Sequence, residues 1–130
     1  MTKQEIWKDI MGYEGLYQVS DLGRVKSLRK NKILKPTKAG RGYFSLGLVK
    51  NGIKERVYIH RIVLETFNPR DDMDLKIDGR KYLNVDHINN IKTDNRLENL
   101  QWLTPKQNTR KELARSVFKK RIRKAIKGVE

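Results

Sequence analysis

The chain has 130 residues, 35% of them charged and 37% hydrophobic, which limits it to one compact domain or a small domain with appendages. Thirty Lys and Arg against fifteen Asp and Glu give a net charge of +15, which favours nucleic acid as partner over a merely soluble basic protein. The chain has no cysteine, which excludes disulfides and thiolate zinc sites, and no long apolar run or signal peptide, so we expect a cytoplasmic protein without membrane contact.

The amino-terminal block alternates turn residues with short β-like runs. Strands are predicted at Leu16–Val19 and Arg24–Leu28, with a turn at Asp21–Gly23 between them. Residues 29–41 are basic and poor in apolar side chains. They fit either a solvated loop or a mobile cationic loop that follows a phosphate backbone, and the sequence leaves both open.

A pair of strands follows. Gly42–Val49 places apolar residues at every second position, which is typical of a half-buried strand. Asn51-Gly52 predicts a tight hairpin turn, and Lys54–Ile59 is the partner strand. Up to this point the chain is therefore predicted to be an antiparallel β meander.

The next segment changes to helical spacing. His60–Phe67 is predicted to be a helix that ends at Asn68-Pro69. We interpret His60 as a structural or phosphate-contacting residue rather than a catalytic one. The polar loop at 69–81 holds four aspartates, three of them at Asp71, Asp72 and Asp74. The glycine at the sixth position and the closing glutamate of a calcium loop do not both follow in register, so we interpret the segment as an acidic loop tip.

Residues 82–112 carry the most informative pattern. Tyr82–Val85 is predicted to be a strand, an Asn- and Asp-rich loop follows, and Leu100–Thr104 is a second strand. Thr104-Pro105 is a good helix start, with Thr as N-cap and Pro at the first helical position. The order strand, loop, strand, helix would bring the end of the first strand near the first turns of the helix.

That arrangement would group Asp86 and His87 with Asn108. A carboxylate oxygen and an amide oxygen are hard ligands, suited to Mg²⁺ or Mn²⁺ bound together with water and substrate phosphate. A neutral imidazole beside them can take a proton from water near neutral pH. These are the groups needed to hydrolyse a phosphodiester.

This segment resembles the HNH nuclease motif, the ββα-metal or His-Me finger fold, as found in homing endonucleases of phage and introns. The likeness lies in the Asp86-His87 pair, the loop ending at Asn99, the Trp102 strand and Asn108. It implies that His87 is the general base and that Asn99 braces the loop. It also implies that Asp86 and Asn108 hold one divalent metal ion per site, Mg²⁺ or Mn²⁺.

The amino-terminal block resembles the modular DNA-binding motif that often precedes such nuclease domains. The matching residues are Trp7-Lys8, Tyr13-Glu14-Gly15, Tyr17-Gln18-Val19-Ser20 and Gly23-Arg24-Val25. Since the motif helps to hold DNA in the family, we expect Arg24 and Lys26 to face phosphate. Trp7, Tyr13 and Tyr17 are interpreted as core residues.

The carboxy-terminal region, Lys106–Lys127, is predicted to be helical throughout. It carries a loose apolar stripe, which we expect to dock on the β layer from Leu113 to Phe118. From Lys119 onward the basic residues are expected to follow phosphates. The residues expected to bind DNA are Arg24, Lys26, Lys92, Arg96, Lys106, Arg110, Lys119, Lys120 and Arg123.

The sequence therefore predicts an α+β protein: a small amino-terminal antiparallel β meander, a ββα-metal motif and a basic carboxy-terminal helix. The expected regions are a DNA-binding motif at 1–50, a nuclease domain at 51–110 with its core at about 82–112, and a helical tail at 111–130. The expected function is a metal-dependent endonuclease acting on double-stranded DNA, as a monomer or weak dimer without a small-molecule cofactor. One metal ion and one histidine make one cut, so a monomer would nick a single strand, and by resemblance the products would carry 5′-phosphate and 3′-hydroxyl ends. The alternative is a non-catalytic DNA-binding protein on a degenerate HNH scaffold, since an RNA-binding ribosomal-type protein explains the charge but not the site residues.

Overall fold

A computed structural model describes the backbone of residues 4–127 and the side chains of residues 4–117. The strands are β1 (Trp7–Asp9), β2 (Tyr17–Ser20), β3 (Val25–Ser27), β4 (Lys32–Leu34), β5 (Thr37–Lys38), β6 (Phe44–Lys50), β7 (Ile53–Tyr58), β8 (Lys76–Ile77), β9 (Arg80–Lys81), β10 (Asn84–His87) and β11 (Leu100–Leu103). The helices are α1 (Ile59–Phe67) and α2 (Pro105–Lys127), and a 3₁₀ turn at Leu97–Asn99 precedes β11. Neither described helix is long and apolar enough to cross a membrane.

The amino-terminal half forms the predicted β meander. β1 to β4 make one antiparallel sheet in sequence order, and β5, β6 and β7 make a second. Val19 pairs with Val25 across β2 and β3, and both side chains are buried. The hairpin between β6 and β7 turns at Asn51 and Gly52, whose φ angles of 52° and 76° are those that this tight turn requires.

α1 is the element that joins the two halves of the molecule. Its buried residues are Ile59, Ile62, Val63 and Leu64, and it packs against strands of both amino-terminal sheets and against β10 and β11. The helix ends at Asn68 because the following proline disfavours helical geometry in the residue before it. The indole of Trp102 in β11 donates a hydrogen bond to the carbonyl of Asn68 at 2.8 Å, which ties the end of α1 to the second half.

The polar loop after α1 contains a small hairpin, β8–β9, that the sequence analysis did not predict. Two of its four aspartates are paired, Asp72 with Arg70 and Asp74 with Lys81.

β10 and β11 form an antiparallel hairpin, and α2 follows directly. Thr104 and Gln107 cap α2 reciprocally: the Thr104 N–H donates to the Gln107 side chain, and the Gln107 N–H donates to the Thr104 hydroxyl. The expected docking of the apolar stripe is wrong for Leu113, which is 62% exposed, and for Val117, which is 47% exposed, whereas the side chain of Phe118 lies outside the described residues. The reason is that the face of α2 turned towards the protein is polar. The predicted α+β class is confirmed, and the expected boundary at residue 110 lies inside α2.

Candidate active site

A cleft of about 660 Å³ opens where β10, α1 and the first turns of α2 meet. Three of the four predicted site residues, Asp86, His87 and Asn108, line it. Strand β10 and helix α2 therefore bring together three side chains that lie up to 22 positions apart in the sequence. The fourth residue, Asn99, lies behind the cleft wall.

Asp86 sits on β10 opposite Gln101 of β11. Its Oδ2 accepts hydrogen bonds from the Gln101 side-chain nitrogen at 2.8 Å and from Lys111 Nζ at 2.5 Å. Among the described residues, both hydrogen bonds to the carboxylate end on Oδ2. Oδ1 is therefore the oxygen left for a cation in the cleft.

α2 presents a polar face to the cleft. Lys111, Glu112 and Arg115 follow Asn108 by three, four and seven positions, which places the four residues on one side of the helix. Arg115 donates to the Asn90 side chain at 2.6 Å and thereby connects α2 to the loop after β10. The sequence analysis identified Asn108 but missed the other three, although helical spacing from Asn108 would have indicated them.

The ring of His87 is 5% exposed and is held from behind. Its Nε2 lies 2.8 Å from Oδ1 of Asn95, which is also buried. An amide oxygen can only accept, so Nε2 carries the proton of the neutral ring and Nδ1 is free to accept one. Sequence reasoning did not identify Asn95 as the partner of His87.

The second histidine, His60 of α1, lines the same cleft. Its ring centroid lies 5.1 Å from that of His87 and 4.8 Å from that of Tyr43. Burial, reinforced by the neighbouring His87 and Arg61, lowers the pKa of His60 to about 4, so the ring is neutral at physiological pH. Its Nδ1 is buried and has no hydrogen-bond partner among the described residues.

Asn99 lies at the base of the loop between β10 and β11. Its amide nitrogen donates to the Asn89 side chain at 2.9 Å and to the Asp94 carbonyl at 2.8 Å. Its side-chain oxygen accepts from the Asn89 N–H, and its carbonyl accepts from the Ile88 N–H. One buried side chain thus joins the two ends of the loop that follows His87.

The donor atoms in the cleft suit a hard divalent ion. Asp86 of β10 offers a carboxylate oxygen and Asn108 of α2 an amide oxygen, and both residues line the cleft. Within the described part of the chain, no group of three or more His, Asp or Glu side chains is arranged to hold a metal. A metal bound here would keep most of its coordination positions for water and phosphate, as Mg²⁺ commonly does.

Comparison with protein families agrees with this geometry. Residues 57–110 match the HNH endonuclease family model, and residues 5–49 match the NUMOD4 motif. The chain belongs to the HNH endonuclease family. The NUMOD4 match includes the first sheet, β5 and most of β6, and most of the residues that line the cleft belong to the HNH match.

Two relatives and one solved structure extend the comparison. The chain is 38% identical over 113 residues to DNA endonuclease I-HmuI of Bacillus phage SP01, covering 86% of this chain and 60% of that protein. It is 42% identical over 109 residues to the uncharacterized HNH endonuclease L247 of Acanthamoeba polyphaga mimivirus, covering 82% of this chain and 25% of the relative. A solved structure that describes DNA binding and cleavage by the HNH homing endonuclease I-HmuI is similar to the structure of this chain, with a TM-score of 0.72. The two sequences are 38% identical, and the match covers 85% of this chain and 59% of the I-HmuI chain. This chain therefore spans about 60% or less of the length of each of these proteins.

The residues expected to bind DNA occupy different environments. Arg24 is paired with Glu5, and Lys26 lies 4.3 Å above the ring of Trp7. Trp7 lies outside the core, so its interpretation as a core residue is wrong, whereas Tyr13 and Tyr17 pack against the core. Two cations, Arg24 and Lys26, stack on Trp7 because its ring face is only partly covered.

The remaining expected DNA contacts lie near the HNH region. Lys92 is on the rim of the cleft, where its Nζ donates to the Arg41 carbonyl at 2.8 Å. Arg96 is held by the carboxylates of Asp94 and Glu98, which reduces the charge it offers to phosphate. Lys106 and Arg110 are exposed on α2. The side chains of Lys119, Lys120 and Arg123 lie outside the described residues.

Proposed function

We propose that this protein is a divalent-metal-dependent endonuclease that hydrolyses one phosphodiester bond of double-stranded DNA and, as a monomer, nicks a single strand. The observation that supports this most directly is that Asp86, His87 and Asn108 line one cleft. One such set of groups serves one phosphate at a time, so a single copy makes a single cut.

His87 is the general base in this proposal. Its Nε2 is tied to Asn95, so Nδ1 takes the proton from the attacking water. Asp86 and Asn108 hold the metal, and Asn99 braces the loop that follows His87. A bound Mg²⁺ or Mn²⁺ would polarise the phosphate and offset the negative charge of the departing 3′ oxygen. The water oxygen forms the new bond to phosphorus, the bond from phosphorus to the 3′ oxygen breaks, and that oxygen takes a proton from solvent, so the products carry 5′-phosphate and 3′-hydroxyl ends.

The cleft and its rim carry cations that suit a DNA backbone. Arg41, Lys92 and Arg115 line it together with the site residues, and the net charge of +15 favours approach to a polyanion. I-HmuI, the phage relative, is a DNA endonuclease. Since this chain spans 60% of I-HmuI, the likeness in activity is part of the proposal.

The test is cleavage of supercoiled plasmid in Mg²⁺, Mn²⁺, Ni²⁺ or EDTA. Wild-type protein should give nicked circles with a divalent ion and none in EDTA. His87→Ala and Asp86→Asn should lower the rate by at least about a hundredfold. Asp74→Asn is the matched control, since Asp74 is exposed and paired with Lys81 outside the cleft, and its rate should equal that of wild type.

The alternative, a DNA-binding protein without catalysis, predicts a different outcome of the same experiment. Such a protein would retard the plasmid without cutting it in any divalent ion. Full cleavage by His87→Ala would leave the fold assignment intact and remove the role given to His87.

A further inference from the structure

A turn of the NUMOD4 motif lies directly against the loop that holds His87. Gly23, between β2 and β3, has a φ of +85°. A Cβ atom at this position would lie 2.8 Å from both Cβ and the carbonyl oxygen of Asn95. Beside this contact, the Leu97 N–H donates to the Asp21 carbonyl at 2.8 Å. The turn therefore contacts the loop at two nearby residues, Asn95 and Leu97.

The turn is held firmly by its own hydrogen bonds. The hydroxyl of Ser20, which is fully buried, accepts from the N–H groups of Leu22 and Arg24 at 3.2 and 3.1 Å. Asp21 is joined to Ile6 through two further hydrogen bonds, one from its own N–H and one to its carboxylate. A turn with this many internal bonds offers a fixed surface to whatever packs on it.

Asn95 transmits that contact to the cleft. Its backbone lies against Gly23, and its buried side chain holds Nε2 of His87 at 2.8 Å. The three residues form one continuous series of contacts from the amino-terminal sheet to the imidazole. Displacing the Asn95 backbone by a few tenths of an ångström would lengthen a hydrogen bond whose strength falls steeply with geometry.

We propose that the NUMOD4 turn acts as a positioning element for the HNH site: Gly23 seats Asn95, and Asn95 keeps His87 in the tautomer with the proton on Nε2. This role adds to any contact that the motif makes with DNA. It rests on the proposed function in assigning His87 as the base, but the tautomer itself can be observed without cleavage. Gly23 and Asn95 are positioning residues, since each acts on the reaction through His87.

Gly23→Ala tests the proposal against a closely matched control, Gly12→Ala. Gly12 lies in the same motif with a φ of +87°, and a Cβ there would meet nothing within 4 Å. Both variants carry the same backbone strain, on the order of 1 kcal/mol, but Gly23→Ala alone pushes on Asn95. The measurements are urea unfolding, DNA affinity, the single-turnover cleavage rate with saturating Mn²⁺, and the two-bond ¹H–¹⁵N correlation spectrum of His87 at about pH 8.5, where an ordinary histidine is neutral.

For Gly23→Ala we expect cleavage about 10- to 100-fold slower, DNA affinity within about twofold of wild type, and a mixture of His87 tautomers. Gly12→Ala should keep the wild-type rate and the single Nε2–H tautomer. The proposal is overturned if the two variants have equal rates and spectra. It is also overturned if Gly23→Ala loses DNA affinity while bound DNA is cut at the wild-type rate, because the motif would then act through DNA alone.

A second pair of variants applies if Gly23→Ala does not fold. Asn95→Asp retains an oxygen that accepts from Nε2, so it should keep the Nε2–H tautomer, whereas Asn95→Ala should lose it. Equal spectra for these two variants would refute the role of Asn95. If wild-type protein showed the expected tautomer but cut no DNA with any metal, the proposed function would fail and the positioning would stand.

Discussion

The stability of the protein should fall in mild acid because of one partly buried histidine, His60. Its folded pKa is about 4 and its ordinary value is 6.5, so the unfolded chain binds the proton more tightly. A group of this kind contributes its stability above its unfolded pKa and loses it as pH falls towards the folded value. The groups that face the ring are Tyr43, Tyr58, His87 and Arg61, and none of these offers it a carboxylate.

The size of the effect follows from the shift in pKa. A difference of about 2.5 units corresponds to a limit of about 3 kcal/mol when both states are protonated. Between about pH 7.5 and about pH 5 the expected loss from His60 is about 2 kcal/mol. An ion pair lowers the pKa of some carboxyl groups, such as Asp74 beside Lys81. These groups lose their contribution to stability at lower pH than His60 does, since the ordinary pKa of a carboxyl group lies near 4.

The assay is urea unfolding followed by tryptophan fluorescence at the two pH values, for wild type and His60→Gln. The difference in unfolding free energy between the two pH values should shrink by about 2 kcal/mol in the variant, whatever the variant's own stability. An NMR titration gives a direct check, because the chain has two histidines. The reasoning is refuted if His60 titrates near 6.5 or if His60→Gln shows the wild-type dependence on pH.

Three further predictions concern single contacts. Lys111→Met should bind Mn²⁺ about tenfold more tightly in calorimetry without DNA, because it removes the ammonium from Asp86; unchanged affinity would contradict this. Arg61→Met should lower the unfolding free energy by about 3 kcal/mol in urea, since two backbone carbonyls and a carboxylate lose their donor, and a loss below about 1 kcal/mol would be inconsistent with this. Tyr17→Phe should cost about 1 kcal/mol in the same assay, because the Val49 N–H loses its acceptor; equal stability of the two proteins would count against that hydrogen bond.

Features that depend on adjacent residues could be read from the sequence. The hairpin turn at Asn51-Gly52 and the start of α2 at Thr104-Pro105 occur where they were predicted, since turn geometry and capping need only residues a few positions apart. The strand that ends at His87 was also predicted, although its bounds moved by two residues. Such shifts are expected because pairing with the neighbouring strand decides where a strand ends.

Features that depend on the approach of distant segments could not be read in this way. The ion pair between Arg24 and Glu5, for example, joins residues 19 positions apart, and no local pattern indicated it. The exposure of Leu113 could not be predicted either, since helical periodicity shows which residues share a face of the helix but not whether that face turns towards the protein or towards solvent.

The sequence alone determined the chemistry available to this protein: an Asp-His pair at the end of a strand, an asparagine near the start of a helix, and an excess of positive charge. Only the tertiary structure decided how that chemistry is supported. Asn95 meets His87 across the loop that follows β10, and Gly23 meets Asn95 because packing around α1 brings the amino-terminal sheet against the HNH hairpin. The side chains that react can be recognised by type and local spacing, whereas the contact that seats Asn95 comes from a turn 72 positions earlier in the chain, which only the tertiary structure brings close.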